Sequence, residues 1–581
     1  MRHAILLSLL LLTSVPVHAA PFQEEYLDRF FGMYPSRATA SGRHDFDDRL
    51  EDFSPARRKE WTAYNRGMAE RLRKLLAAPD TPLEDRLDAE LVLRQAEIEI
   101  HEEETLKRAE RDPLFWTGLL GEATVYLLVR DDIPKPRRLE AATARARLLP
   151  RLAAQAREAL AAGDPAKISP ELCALAAGQV RASAQFYADG FPKAGVGEPE
   201  EVRREMEKAG AAASAALGEL AVFLEGLGKK AGGSPRLGAD YAARFRLVTG
   251  IEEPVDQVLA QAEADLAAKR AEAAAYGRSV WKELMPGEEP PVDDPAGNKE
   301  LLRRLFARVS ADRAKTTEEL VADYRELTDK AFVFVRERRV MTLPEPPTLH
   351  LDRSPSFFIG QSVGGVYPAG PYAPEAKTLY FLPTPPDAAT PAQREAFFRD
   401  FNHHFNVMIT PHEIVPGHYV QLKLAARHPR KVRAIFFDGV YVEGWGTFCE
   451  RLLLDLGWGG PLDRLAHLKK QLENISRTVV DIRVHTRNME KEEVLRYVRD
   501  EALQDEQFAG NMWVRAITSS PQLTFYHLGY RQVRGLYDDA RAAEGESFDL
   551  RSFMDGMMTL GPVPVRHYRE ARFSRLPAPG K

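Results

Sequence analysis

The chain has 581 residues, 44% of them hydrophobic and 28% charged, with a formal net charge of -5. That length exceeds what one compact domain needs, so two or more packed units, or one large helical body, are expected. The charge balance lacks the basic excess of nucleic-acid-binding chains and argues against nucleic acid as a partner.

The chain opens on "MRHAILLSLLLLTSVPVHAA", a short basic start, an apolar run too short to span a bilayer, and small residues before a cut after Ala19. Residues 1–19 are therefore expected to be a secretory signal peptide, and the mature protein to be exported to the periplasm or beyond. No cysteine follows the cut to take a lipid, and no later segment reads as a membrane span. Cys173 and Cys449 are the only cysteines, which rules out a thiolate metal site and leaves one disulfide open.

From Pro21 to about Gly277 the apolar residues recur at helical spacing, as in "LDAELVLRQAEIEIHEEETLKRAE" and "VDQVLAQAEADLAAKRAEAAAYG". Loop compositions such as "GDPAKISP" and "GKKAGGSPRLG" separate these stretches. "MPGEEPPVDDPAGN" marks the boundary between an N-terminal helical region, 20–290, and a second region, 291–581. Between Ala331 and Pro386, "AFVFVRE", "TLHLD" and "KTLYFLP" read as short strands around the Gly/Pro-rich "GQSVGGVYPAGPYAP". Thr390 then caps a helix entered through Pro391, and helices continue almost to the end. The expected fold is mainly α, a large multi-helix body with a small β-ribbon or sheet beside a metal site.

Five of the fourteen histidines, His403, His404, His412, His418 and His428, fall within twenty-six residues. Histidine is the commonest metal ligand, and "TPHEIVPGHYVQ" resembles a zinc-peptidase helix in which Pro416 stands where the second histidine is usual. A local alternative is a capping box, with Thr410 as N-cap, Pro411 at the first helical position and Glu413 reaching back. On a regular helix His412 and His418 would point about 120° apart. Pro416 and Gly417 are where a helix would kink or widen, and such a turn would bring both imidazoles to one side. Hydrolytic zinc sites use three protein ligands, and Glu443 in "YVEGWGTFCERLLLDLG" offers the third, with Glu450 two turns later on the same face. Taken alone, Glu443 also reads as a solvated carboxylate at a helix start.

"HEIVPGHYVQ", "EGWGTFCE", "DIRVH" and "YHLG", in that order, resemble the bacterial family catalogued as domain of unknown function 885, over most of the mature chain. That family resembles helical, gluzincin-like zinc metallopeptidases. The resemblance implies Zn²⁺ held by His412, His418 and Glu443, with Glu413 as general base. Two positions depart from the family pattern: Tyr419, where many relatives carry a further histidine, and Gly446, where alanine is usual.

On this reading the protein is an exported zinc hydrolase cleaving a peptide or small amide, its oligomeric state left open. His485 and Tyr526 are candidate donors to the oxyanion. Arg477, Asp481 and His485 recur every four residues, so Asp481 is placed to orient His485, an exposed charge ladder being the plainer alternative. Tyr526 shares a helix face with Tyr530, which also suits simple packing. Gly364, Gly365 and Tyr367, with the strand "KTLYFLP", are candidates to offer a backbone edge to an extended peptide. The competing class is a non-catalytic helical binding or scaffold protein that keeps the shape of such a fold.

Overall fold

A computed structural model describes residues 21–355, 365–385 and 389–574. The expected leader, residues 1–19, lies outside them. The fold is mainly α with one three-stranded sheet among the described residues. In the N-terminal region the helices Lys135–Ala162, Pro170–Gln185 and Glu200–Gly228 pack on one another. The last buries Met206, Ala213, Leu217, Leu220 and Leu224, a stripe at alternating three-, four- and seven-residue steps. Contrary to expectation, this helix is long and apolar enough to cross a membrane by length and composition. Its apolar stripe, however, is taken up by the two neighbouring helices. Cys173 and Cys449 are both buried free thiols.

The sheet has strands β1 (Leu349–Arg353), β2 (Gly365–Tyr367) and β3 (Thr378–Leu382) in the order β1-β3-β2. β1 runs parallel to β3 and β2 antiparallel to it, with Tyr380 opposite both Leu351 and Val366. Every residue of β3 is buried, as a central strand requires. The first of the three expected strands, "AFVFVRE", is instead the end of the helix Thr317–Glu337. There Thr328, Ala331, Phe332 and Val335 are buried at helical spacing while Val333 is 50% exposed. A short run of β-branched and aromatic residues fits either element until a partner is known, and here Thr316 caps the helix by accepting from Glu319 N–H.

Thr390 caps Pro391–Asp400, as the sequence predicts, and Gln393 completes a capping box with it. Helices follow to Phe573. Pro461–Thr486 runs through the interior and packs against Val255–Leu284, His403–Glu413 and Phe525–Glu544. One continuous set of buried apolar residues extends from Phe22 to Tyr568 and draws on both regions.

Candidate metal centre

The segment 403–418 is two helices, not one bent helix. The first, His403–Glu413, is capped by Asn402, whose side chain accepts from Phe405 N–H. The capping-box reading of Thr410 and Glu413 is therefore overturned: Thr410 lies in the last turn, and its hydroxyl donates to the Asn406 carbonyl at 2.8 Å. Pro411 sits inside the helix, where it cannot bond the carbonyl four residues back. That carbonyl, of Val407, accepts from the Trp458 indole at 2.9 Å instead.

After Glu413 the helix stops, and a second helix, His418–Ala426, begins after four intervening residues. Gly417 packs so tightly on the first helix that a Cβ there would lie 1.8 Å from the His412 carbonyl oxygen. The Pro416 carbonyl accepts from the Trp445 indole at 2.9 Å. The break sends His412 and His418 to a common point, their rings 4.6 Å apart and nearly perpendicular at 85°.

The third helix, Gly439–Asp455, begins at Asp438, which accepts from Tyr441 N–H. It crosses Phe525–Glu544 at Gly444 and Gly529, where a Cβ on Gly444 would meet backbone at 2.3 Å. This crossing presents Glu443, whose Oε2 lies 3.6 Å from His412 Nε2 and 3.7 Å from His418 Nε2. The three donor atoms all fall within 4.8 Å of one another. A zinc tetrahedron with bonds of about 2.0–2.1 Å has edges of roughly 3.4 Å, so the set fits such an ion with small adjustments. Gly446 lies beneath the His412 ring, and a Cβ there would come within 2.8 Å of it.

The supporting contacts decide which ring nitrogens are free. His412 Nδ1 is 2.7 Å from Glu450 Oε1, and the other Glu450 oxygen is 3.1 Å from His467 Nδ1. His418 Nδ1 lies 3.4 Å from Gln421 Oε1. Acceptors at both Nδ1 atoms leave both Nε2 lone pairs facing Glu443, the arrangement a metal requires. Burial alone would raise the Glu443 carboxyl, but the two imidazoles outweigh it and hold the group well below the usual carboxylate range. Burial likewise disfavours a charged His412, and Glu443 and Glu450 reverse that effect. The two shifts are reciprocal and show that the imidazoles and the carboxylates are electrostatically coupled in one buried cluster.

Glu413, adjacent to His412, is partly accessible. Its charge is felt by the buried hydroxyls of Tyr324 and Tyr380, which burial first and Glu413 in addition push upward. The Tyr526 ring lies 6.5 Å from that of His412 at 24°. Its hydroxyl accepts from Gln522 Nε2 at 3.0 Å and from Arg515 Nη2 at 3.4 Å, and Arg477 sits 4.5 Å over the ring. Gln522 Nε2 is also 3.4 Å from Glu443 Oε1.

Other expected residues lie elsewhere. His485 does not serve as an oxyanion donor: Nδ1 accepts from Leu237 N–H and Nε2 bonds the Ala516 carbonyl, so neither nitrogen is free. Asp481 does not orient it, because its carboxylate accepts from Tyr241 Oη at 2.7 Å and Ser520 Oγ at 3.1 Å. Nor is the row an exposed ladder, since Arg477, Asp481 and His485 are all buried. "KTLYFLP" offers no free edge, being the central strand; β1 and β2 are the edges, and Gly365 opens β2. Tyr367 packs between Tyr126 and Phe381, and Gly364 lies outside the described residues. His403 and His404 pair with Asp323 and Asp463, away from the cluster. Gln421, His467, Gln522 and Arg515 were not foreseen. Gln421 and Gln522 stand three and four residues from His418 and Tyr526, a local spacing that could have found them; His467 and Arg515 reach partners on other helices, which spacing along one helix cannot reveal.

A family model described as "Bacterial protein of unknown function (DUF885)" matches residues 35–571. A solved candidate lipoprotein of unknown function from Shewanella oneidensis is similar over 96% of this chain and 100% of its own, at 24% identity and a TM-score of 0.77. A second candidate lipoprotein, from Colwellia psychrerythraea, matches over 94% and 97% at 16% identity and a TM-score of 0.74. At these identities the likeness is one of fold. No curated protein matches the chain.

Proposed function

The chain belongs to the bacterial DUF885 family, whose function is unknown, and from that premise we propose that it is an exported zinc-dependent hydrolase of gluzincin-like type, cleaving peptide bonds. The observation that carries this reading is the convergence of His412 Nε2, His418 Nε2 and Glu443 Oε2 within 4.8 Å, each imidazole held from behind by an acceptor. A bound zinc would supply Lewis acidity and make water a nucleophile near neutral pH.

The residues around it divide the remaining work. Glu413 lies next to a ligand without joining the donor set, so its carboxylate takes the proton of the attacking water. As the C–O bond forms and the C–N bond breaks, that proton passes from Glu413 to the leaving amine. Tyr526 already accepts from Gln522 and Arg515, which leaves its own O–H to donate to the developing oxyanion. Glu450 holds His412 in one tautomer. Export is supported by the leader-like start of the sequence and by the two solved neighbours, described as candidate lipoproteins.

Metal analysis and peptide cleavage test the reading together. One zinc per chain is expected, lost with Glu443→Ala. Glu413→Gln should keep the metal and lower kcat/KM for a peptide-library substrate by about 10²–10⁴-fold. A folded protein that takes up no metal and cleaves nothing would favour the binding or scaffold class.

A further inference from the structure

A cavity of about 710 Å³ runs along the helix that carries His418. Leu422, Ala425 and Ala426 line it, four, seven and eight residues beyond His418, and so on the same face of that helix. Phe436 and Phe437, in the segment leading into the Glu443 helix, form a second wall, and Val366 of β2 joins a third. The cavity thus adjoins the His418 helix and the segment leading into the Glu443 helix, beside two of the three elements that carry the candidate ligands.

Aromatic rings also line it, those of Phe30, Tyr34, Trp61 and Phe115. Most of its charges are matched: Arg37 with Glu122 at 3.4 Å, Arg58 with Glu103 at 2.7 Å, Arg108 with Glu102 at 2.6 Å. Glu99 is the lining carboxylate with no basic partner among the described residues. Three neutral donors fix it instead: Tyr34 Oη at 2.6 Å, Trp61 Nε1 at 2.9 Å and Gln95 Nε2 at 2.8 Å. These orient the carboxylate without cancelling its charge, and they leave one lone-pair direction unused. Burial raises the Glu99 carboxyl, a cost that a ligand cation would relieve. Aromatic walls around an unmatched carboxylate are the surroundings in which an organic cation is well held.

We infer that this cavity recognises a primary ammonium group on the substrate, with Glu99 as the residue that selects for it. The inference rests on the proposed peptidase reading only in taking a peptide as the carrier. The ammonium then comes from the peptide N-terminus or from a lysine side chain, and the two sources are separable.

Calorimetric binding to the Glu413→Gln protein, which does not consume the ligand, tests this with Phe-Ala-Phe, its N-acetyl form and N-acetyl-Lys-Ala-Phe. Tighter binding of Phe-Ala-Phe than of its N-acetyl form, by about tenfold, assigns the N-terminal amine. An equal advantage confined to the lysine peptide assigns the side chain. In either case Glu99→Gln should erase the difference, and Glu99→Asp, which keeps the charge on a shorter arm, should retain part of it. No preference for an ammonium ligand, or one that survives Glu99→Gln in folded protein, overturns the inference. Should Glu99→Gln not fold, the peptide comparison without it, together with Glu99→Asp, decides the matter. Failure here leaves zinc content and cleavage unaffected, and failure of those leaves the binding preference measurable.

Discussion

Glu450 is fully buried, and its hydrogen bonds among the described residues are with two imidazoles, His412 at 2.7 Å and His467 at 3.1 Å. In the proposed zinc site its work is to keep a proton on His412 Nδ1 and the lone pair on Nε2. Replacing it by glutamine should weaken zinc affinity by about 10–100-fold in chelator competition. Asp481 offers a test of a different kind, because burial pushes its carboxyl up to about 7 despite the hydrogen bonds from Tyr241 and Ser520. Unfolded, the same group titrates near 4, so between about pH 4 and 7 the native chain holds a proton that the unfolded chain has released. Stability from this residue is therefore full below about pH 4 and falls as pH rises toward 7. Asp481→Asn mimics the protonated form and should match the parent at low pH, then exceed it by roughly 2–4 kcal/mol at pH 8 in denaturant unfolding.

Where the Gly439–Asp455 and Phe525–Glu544 helices cross, Gly444 and Gly529 bring two backbones into direct contact; a Cβ on Gly529 would lie 2.0 Å from the Val440 carbonyl oxygen. Gly444→Ala must push the helices apart, at a cost of about 1–3 kcal/mol or more. Because Glu443 is its neighbour, zinc affinity should fall as well, so a lower melting temperature with unchanged metal binding would contradict this role for the crossing. The site was legible in the sequence to the extent that local rules governed it. Pro416 and Gly417 announced a broken helix between His412 and His418, and Glu443 stood at an amphipathic helix start. The sequence did not reveal that the helix stops outright, because the tight approach of Gly417 to the His412 carbonyl depends on packing. Asp481 and His485 misled for the complementary reason. Four-residue spacing puts them on one face of a helix, but that face meets Tyr241 and Leu237, about 240 residues earlier in the chain. "AFVFVRE" failed likewise, since strand-like residues become helical when a cap and a core face are supplied from elsewhere.

Although His412, His418 and Glu443 all lie within 31 sequence positions of one another, the elements that aim them are anchored to the N-terminal region. Between His418 and Glu443 the chain carries Arg430 and Arg433, which bind Asp85, Asp88 and Glu84 on or at the start of the helix Leu83–Glu104. Asp438, which caps the Glu443 helix, pairs with Arg94 of that same helix at 2.7 Å. The Asp88 and Arg433 side chains are both fully buried and meet at 2.6 Å. Removing one member of such a pair strands the other charge in the interior, so Arg433→Met should cost about 3–5 kcal/mol. It should also weaken zinc binding, because the segment joining two ligands loses its anchor. The double variant Arg433→Met with Asp88→Leu takes away both charges and should recover much of the stability, while the loss of anchoring persists in the metal titration. With buried apolar contacts continuous from Phe22 to Tyr568, each of these proteins should unfold in one calorimetric transition. Two separated transitions, with zinc released only in one, would show instead that the N-terminal helices merely lean against an independent metal-binding unit.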